Sequence, residues 1–124
     1  VMEQNNAIYR EQSLLVQELA EKSDCVIVGR SADYILRDKK PLRLFIYADM
    51  ESRMERCRKR APEQEHFTDK ELRRHIQDVD KRRSKYYQFF TGQTWGEKLN
   101  YDLCINTSGA NIEDLVKVIA KLVK

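Results

Sequence analysis

Cys25-Val26-Ile27-Val28-Gly29-Arg30-Ser31 is the stretch whose reading decides the fold. Residues 24–29, DCVIVG, form a continuous apolar run ended by Gly29, the pattern of a strand covered on both faces. A second such run, LRLFIYA (42–48), follows Pro41, and a third and shorter one, YDLCIN, occupies 101–106. Helical spacing fills the intervals. An amphipathic helix is expected from Asn6 to Lys22, with Ile8, Leu15 and Leu19 on one face. Asp49 stands where an N-cap belongs, ahead of MESRMERCRKR (50–60). Thr68 opens a capping box with Glu71, and its helix should run to about Phe90 on a stripe of Leu72, Ile76, Val79 and Tyr86. The last helix carries Ile112, Leu115, Val116, Ile119 and Leu122. Strands alternating with helices predict an α/β fold with a mainly parallel sheet, although three strands are few for one.

A chain of 124 residues suits a single domain over 1–124. Hydrophobic residues make up 41%, enough for a modest core, and charged residues 35%, which predicts a heavily solvated surface. No apolar run approaches the length of a membrane span, and VMEQNNAIYR lacks the basic start and apolar core of a signal peptide. The expectation is a cytoplasmic protein. Three cysteines without metal-ligand spacing fit that compartment, with Cys25 and Cys104 expected as small buried hydrophobes and Cys57 as a thiol in a charged helix.

Charge is unevenly spread. The net is +3 for the whole chain, yet residues 53–85 hold 12 Lys and Arg against 7 Asp and Glu, a net of +5. Either a solvated helical surface or an anion site produces such a segment. Three places could hold an anion. Arg30 follows the first strand, where open parallel sheets bind ligands, and its planar fork suits phosphate; a plain surface arginine is the simpler reading of that position alone. On the long helix, the apolar stripe projected forward from Ile76 and Val79 lands on Arg83, with Arg82 beside it and Asp80 one turn behind. An arginine on a core-facing stripe needs an anion, which is either Asp80 or a bound phosphate. Arg53, Arg56 and Arg60 share a helical face, with Arg58 and Lys59 between them, next to the loop containing Pro62. The aromatics Tyr86, Tyr87, Phe89, Phe90 and Trp95 are expected in the core. No helix-turn-helix, RNA-recognition or KH signature is present, which argues against nucleic-acid binding. No hydrolase or metalloprotease motif and no paired-histidine metal site occurs.

In order, CVIVGRSADYIL, LRLFIYADMESRMERCRKR and DVDKRRSKYYQFFTGQTWGEKLNYDLCINTS resemble the C-terminal portion of the bacterial cytidylate kinase-like family, nucleoside monophosphate kinases of the P-loop NTPase superfamily. The resemblance runs from Ser23 to the end and takes in the helix before it. It implies a three-layer P-loop kinase-like parallel sheet flanked by helices, and transfer of the ATP γ-phosphoryl, with Mg²⁺ accompanying ATP, to a CMP or dCMP acceptor. By the resemblance Arg30 holds the monophosphate, and Ser31 stands where the family places an aspartate on the cytosine side. Arg53, Arg56, Arg58 and Arg60 match lid arginines over the ATP phosphates, the lid spanning approximately 53–70. Asp80, Arg82, Arg83 and Lys85 match the stretch that contacts the monophosphate and the transferring phosphoryl. No protein ligand for a metal is identified in the chain.

The chain has no glycine-rich phosphate loop, and the resemblance places the strand preceding that loop in the middle of the sheet. The expectation is therefore an incomplete sheet lacking its first strand and P-loop, a fragment inactive by itself. Exchange of elements with a second copy, as a homodimer, would fill the gap. A nucleotide-binding module without catalysis is the alternative, and a nucleic-acid-binding protein a more distant one.

Overall fold

The computed structural model describes residues 2–61 and 66–123. Pro62 and the middle of the expected lid lie outside the described residues. Helix α1 spans Met2–Lys22, α2 is a single turn at Ala32–Ile35, and a 3₁₀ turn follows at Arg37–Lys39. Strand β1 is Leu44–Tyr47, α3 Met50–Arg60, α4 Asp69–Thr91, β2 Leu103–Asn106 and α5 Ile112–Ala120. β1 and β2 pair in parallel, Leu44 opposite Leu103 and Tyr47 opposite Asn106. The architecture is α/β, consistent with an incomplete kinase-like fold.

The local signals act where they stand in the sequence. The Asp49 carboxylate accepts from the Ser52 amide at 2.7 Å and starts α3. Thr68 and Glu71 close their reciprocal capping box at 3.1 Å each way and start α4. Gly92, at φ 72°, takes the left-handed conformation that ends α4. Asn111 accepts from the Asp114 amide at 3.2 Å and starts α5.

Packing forms two small clusters. Val16 of α1 meets Ala32 and Leu36, with Ala20, Ile27 and Ile35 around them. Met54 of α3 meets Leu72 and Ile76 of α4, with Met50, Cys57 and Phe67 alongside.

Four expectations need correction. The run 24–29 is extended but belongs to no ladder, and Val26 and Val28 are 93% and 86% exposed. Only Ile27 packs inward. A strand is held by hydrogen bonds to neighbours, and among the described residues β1 and β2 pair only with each other. The expected buried strand therefore finds no sheet to join.

On α1 the inward positions are Val16 and Ala20, while Ile8, Leu15 and Leu19 face solvent. α5 ends two residues before Leu122 and buries none of its apolar stripe. Cys25 and Cys104 are exposed rather than buried, and Cys57 is the half-buried one.

The aromatics do cluster, partly at the surface. Tyr9 stacks on Phe90 at 4.2 Å between ring centres, Tyr86 leans on Phe90, and Trp95 meets Phe45 edge-on at 5.3 Å. Phe89 remains half-exposed.

Candidate functional site

The inward face of α4 carries Leu72, Ile76, Asp80 and Tyr87, with Arg83 at its exposed edge rather than in the core-facing position its spacing predicted. Leu72, Ile76 and Tyr87 are buried, so Asp80 interrupts an otherwise packed stripe. The expected stripe ended on Tyr86, but it is Tyr87 that turns inward while Tyr86 is 36% exposed. Continuing the spacing through Asp80 as a member would have selected Tyr87.

Asp80 is the hub of the interruption. Its carboxylate accepts from Arg53 Nη2 of α3 at 2.7 and 2.8 Å, with both side chains about three-quarters buried. Arg83 Nη1 lies 3.8 Å from the same carboxylate and its side chain is 63% exposed. The internal pair considered from the sequence exists, but it is the longer contact. Asp80 is engaged by Arg53, which leaves the Arg83 fork turned largely to solvent. A short bond to one arginine and a long one to another fixes the carboxylate without neutralising both cations.

The other arginines of α3 are differently placed. Arg56 donates to Thr107 Oγ1 at 2.8 Å and to the Thr107 carbonyl at 2.6 Å, and Thr107 in turn donates to the Tyr47 carbonyl at 3.1 Å. It thus fastens α3 to the C-terminal ends of both strands. The Asp49 amide, donating to Ser108 Oγ at 2.7 Å, adds a second link two turns earlier. Arg58 pairs with Asp69 at 2.8 Å and with the Phe67 carbonyl at 3.0 Å. Arg60, Arg82 and Lys85 are exposed.

Gly29, Arg30 and Ser31 follow the extended segment at φ 70°, 60° and 54°. Three successive left-handed residues are closed by the Ala32 amide donating to the Gly29 carbonyl at 3.1 Å. Glycine adopts that conformation freely, whereas each of the other two costs about 1–2 kcal/mol. Ser31 is 6% exposed, and its hydroxyl has no hydrogen-bond partner among the described residues. Arg30 is exposed and close enough to Tyr86 to oppose the rise in that phenol's pKa, which burial and the neighbouring Tyr9 produce. Tyr86 is three residues beyond Arg83 on α4. The sequence placed Arg30 at the end of a sheet strand; in the structure the segment before it belongs to no ladder.

Two residues after Ser31, the Asp33 carboxylate accepts from the Tyr87 hydroxyl at 2.6 Å, and the same hydroxyl lies 2.9 Å from Gln93 Oε1. Burial and the adjacent carboxylate push the Tyr87 phenol far above its ordinary pKa, so it remains a donor at any working pH. This pair had no motif to announce it, being joined only by the fold.

A hollow of about 430 Å³ lies on the opposite side of α3, lined by Asp49, Glu51, Ser52, Met54, Glu55, Arg58 and Asp69. Four carboxylates against one arginine make it a poor place for phosphate. Among the described residues no three His, Cys, Asp or Glu converge to hold a metal ion, and no helix is long and apolar enough to cross a membrane.

Comparison with known proteins supplies a frame for this geometry. The sequence profile of the cytidylate kinase-like family matches residues 2–109. The crystal structure of an uncharacterised protein from Eubacterium ventriosum ATCC 27560 is similar with a TM-score of 0.83 and 28% identity. That likeness covers 94% of this chain, which spans 64% of the other. No curated protein matches.

Proposed function

The chain belongs to the cytidylate kinase-like family, and from that premise we propose that its site serves phosphoryl transfer from ATP, bound with Mg²⁺, to a nucleoside monophosphate of the CMP or dCMP type. The observation that carries this reading is Arg83. It is a solvent-facing guanidinium at the edge of a buried stripe, held beside a carboxylate already engaged by Arg53. Such a group can meet the charge of a phosphoryl in flight without first breaking a strong pair.

Phosphoryl transfer asks little covalent chemistry of a protein and much positioning and charge neutralisation. An acceptor phosphate oxygen bonds to the γ-phosphorus as the bond to the β,γ-bridging oxygen breaks, giving a nucleoside diphosphate and ADP. Arg30 grips the acceptor phosphate, and Arg83 orients the moving group. Asp80 holds Arg53 and Arg83 at fixed separation, while Arg82 and Lys85 add positive potential on the exposed side. Ser31 offers its unpartnered buried hydroxyl to the acceptor. Of the arginines matched to the lid, Arg53 is held by Asp80, Arg56 anchors α3 to the strand ends, Arg58 pairs with Asp69, and Arg60, which is exposed, is the one most open to ATP phosphates. Mg²⁺ belongs to the ATP substrate in this scheme.

The test is steady-state kinetics, with ATP·Mg²⁺ and a panel of monophosphates, of the full-length parent protein that contains this chain, since residues 1–124 alone are expected to be inactive. CMP or dCMP should be the preferred acceptor. Arg83→Ala should lower kcat by about 100-fold or more while moving the melting temperature by no more than about 2 °C. A parallel loss of activity and stability would reduce Arg83 to a structural partner of Asp80. Saturable CMP binding without turnover would instead select a nucleotide-binding module.

A further inference from the structure

The left-handed turn at Gly29–Ser31 has no backbone hydrogen bond holding it from its upstream side, where the amides of residues 24–28 make none among the described residues and Ile27 alone packs inward. Strained turns persist only where their surroundings over-determine them. Here the hydrogen-bonded support is downstream. Ala32 and Leu36 pack with Val16, and Asp33 reaches Tyr87 on α4. That 2.6 Å bond is, among the described residues, the hydrogen bond that ties the turn's segment to α4. Tyr87 is one helical turn beyond Arg83, so whatever fixes Tyr87 also fixes Arg83.

We infer that the Asp33–Tyr87 hydrogen bond is the positioning link of the site: it holds the strained turn against α4 and so sets Arg30 at working distance from Arg83. The inference rests on the reading of Arg30 and Arg83 as phosphate-binding groups. Neither Asp33 nor Tyr87 touches substrate in this scheme. The pair acts through the two arginines it registers. A buried phenol suits the task because it stays protonated, and a carboxylate acceptor makes the bond short and strong. Phenylalanine would fill the same volume but leave the carboxylate without its donor.

The experiment compares Tyr87→Phe, Asp33→Ala and the double variant with the parent protein. CMP and ATP affinities are measured by titration calorimetry, and amide exchange is followed at Ala32, Tyr34, Ile35 and Leu36. Each single variant should weaken CMP binding about tenfold and leave ATP binding within about twofold, since the link serves the acceptor side. The double variant should be no worse than either single one, because one interaction is removed in all three. Exchange at the four amides should quicken in each variant.

Unchanged exchange at those amides would overturn the clasp. Quicker exchange with unaltered CMP affinity, or equal loss of CMP and ATP binding, would show a merely structural tie and overturn the positioning role. Additive losses in the double variant would show that the two residues act separately and would likewise overturn it. If the parent protein binds no CMP, the phosphoryl-transfer reading fails and with it the positioning role, while the exchange data still decide whether the clasp holds the turn.

Discussion

Asp80 faces two arginines and can satisfy only one of them well. Replacing it by alanine leaves Arg53 partly buried without an anion and brings it into unrelieved repulsion with Arg83. The loss in stability should be about 1–3 kcal/mol, the range for an uncompensated, partly buried charge discounted for solvent contact. Denaturant titration measures it, and a change below a few tenths would mean that Asp80 is dispensable to the α3–α4 contact. Three carboxylates elsewhere, Asp49, Glu71 and Asp102, are held below their ordinary pKa values. Ser52 donates to Asp49, Thr68 to Glu71, and Arg43 to Asp102. A lowered folded-state pKa means that the stabilisation is present above the unfolded value near pH 4 and fades as pH falls through the folded one. Acid unfolding should accordingly steepen below about pH 4, and Asp102→Asn should flatten that limb. An unchanged acid limb in the variant would assign the effect to other groups.

Among the elements, the helices and the two strands that pair in parallel were legible, and the third expected strand was not. Caps are short-range chemistry: Asp49, Thr68, Glu71 and Gly92 act on their own neighbours, so the starts of α3 and α4 and the end of α4 follow from sequence. Thr68→Ala removes one half of a formed capping box and should cost about 1 kcal/mol, a drop in melting temperature with no change in cofactor or acceptor preference. Strands depend on partners distant in sequence. CVIV reads as buried because β-branched residues usually are, but whether a ladder forms beside it is not written in those residues. The same limit explains Tyr86 against Tyr87. A stripe counted only through apolar residues skips Asp80 and loses phase, whereas the helix keeps its turn whatever the residue. Arg83 was singled out by counting forward from Ile76 and Val79, and the structure gives it the long contact to Asp80 expected of an i,i+3 pair. The partner of Asp80 was missed because Arg53 lies on another helix.

The whole molecule carries more surface than its mass allows a closed fold. Its accessible area is 9769 Å² for 14.7 kDa, whereas a compact monomer of that mass exposes about 6,900 Å². The excess, near 2,900 Å², is of the size that obligate interfaces bury. It is apolar in part: Val26, Val28, Leu14, Leu15, Val116 and Leu122 are all exposed. The chain of residues 1–124 by itself should therefore associate with further copies or unfold with little cooperativity. Sedimentation equilibrium and a thermal scan decide the point, and a monodisperse 14.7 kDa species with a sharp transition would contradict it.

The β1–β2 ladder also bears on the order in which the chain assembles. Arg43 and Asp102 are 59 residues apart in sequence, as are Asp49 and Ser108. Bringing such ends together forfeits roughly 3–4 kcal/mol of chain entropy before the first inter-strand bond returns anything. The α3–α4 hairpin closes over a much shorter span, so its contacts can be in place while the strands are still apart. Folding then ends with the ladder zipping shut, and unfolding begins there. Amides of β2 should be the earliest to exchange among the paired strands and helices, and substitutions such as Ile105→Val should quicken unfolding while leaving the refolding rate nearly untouched.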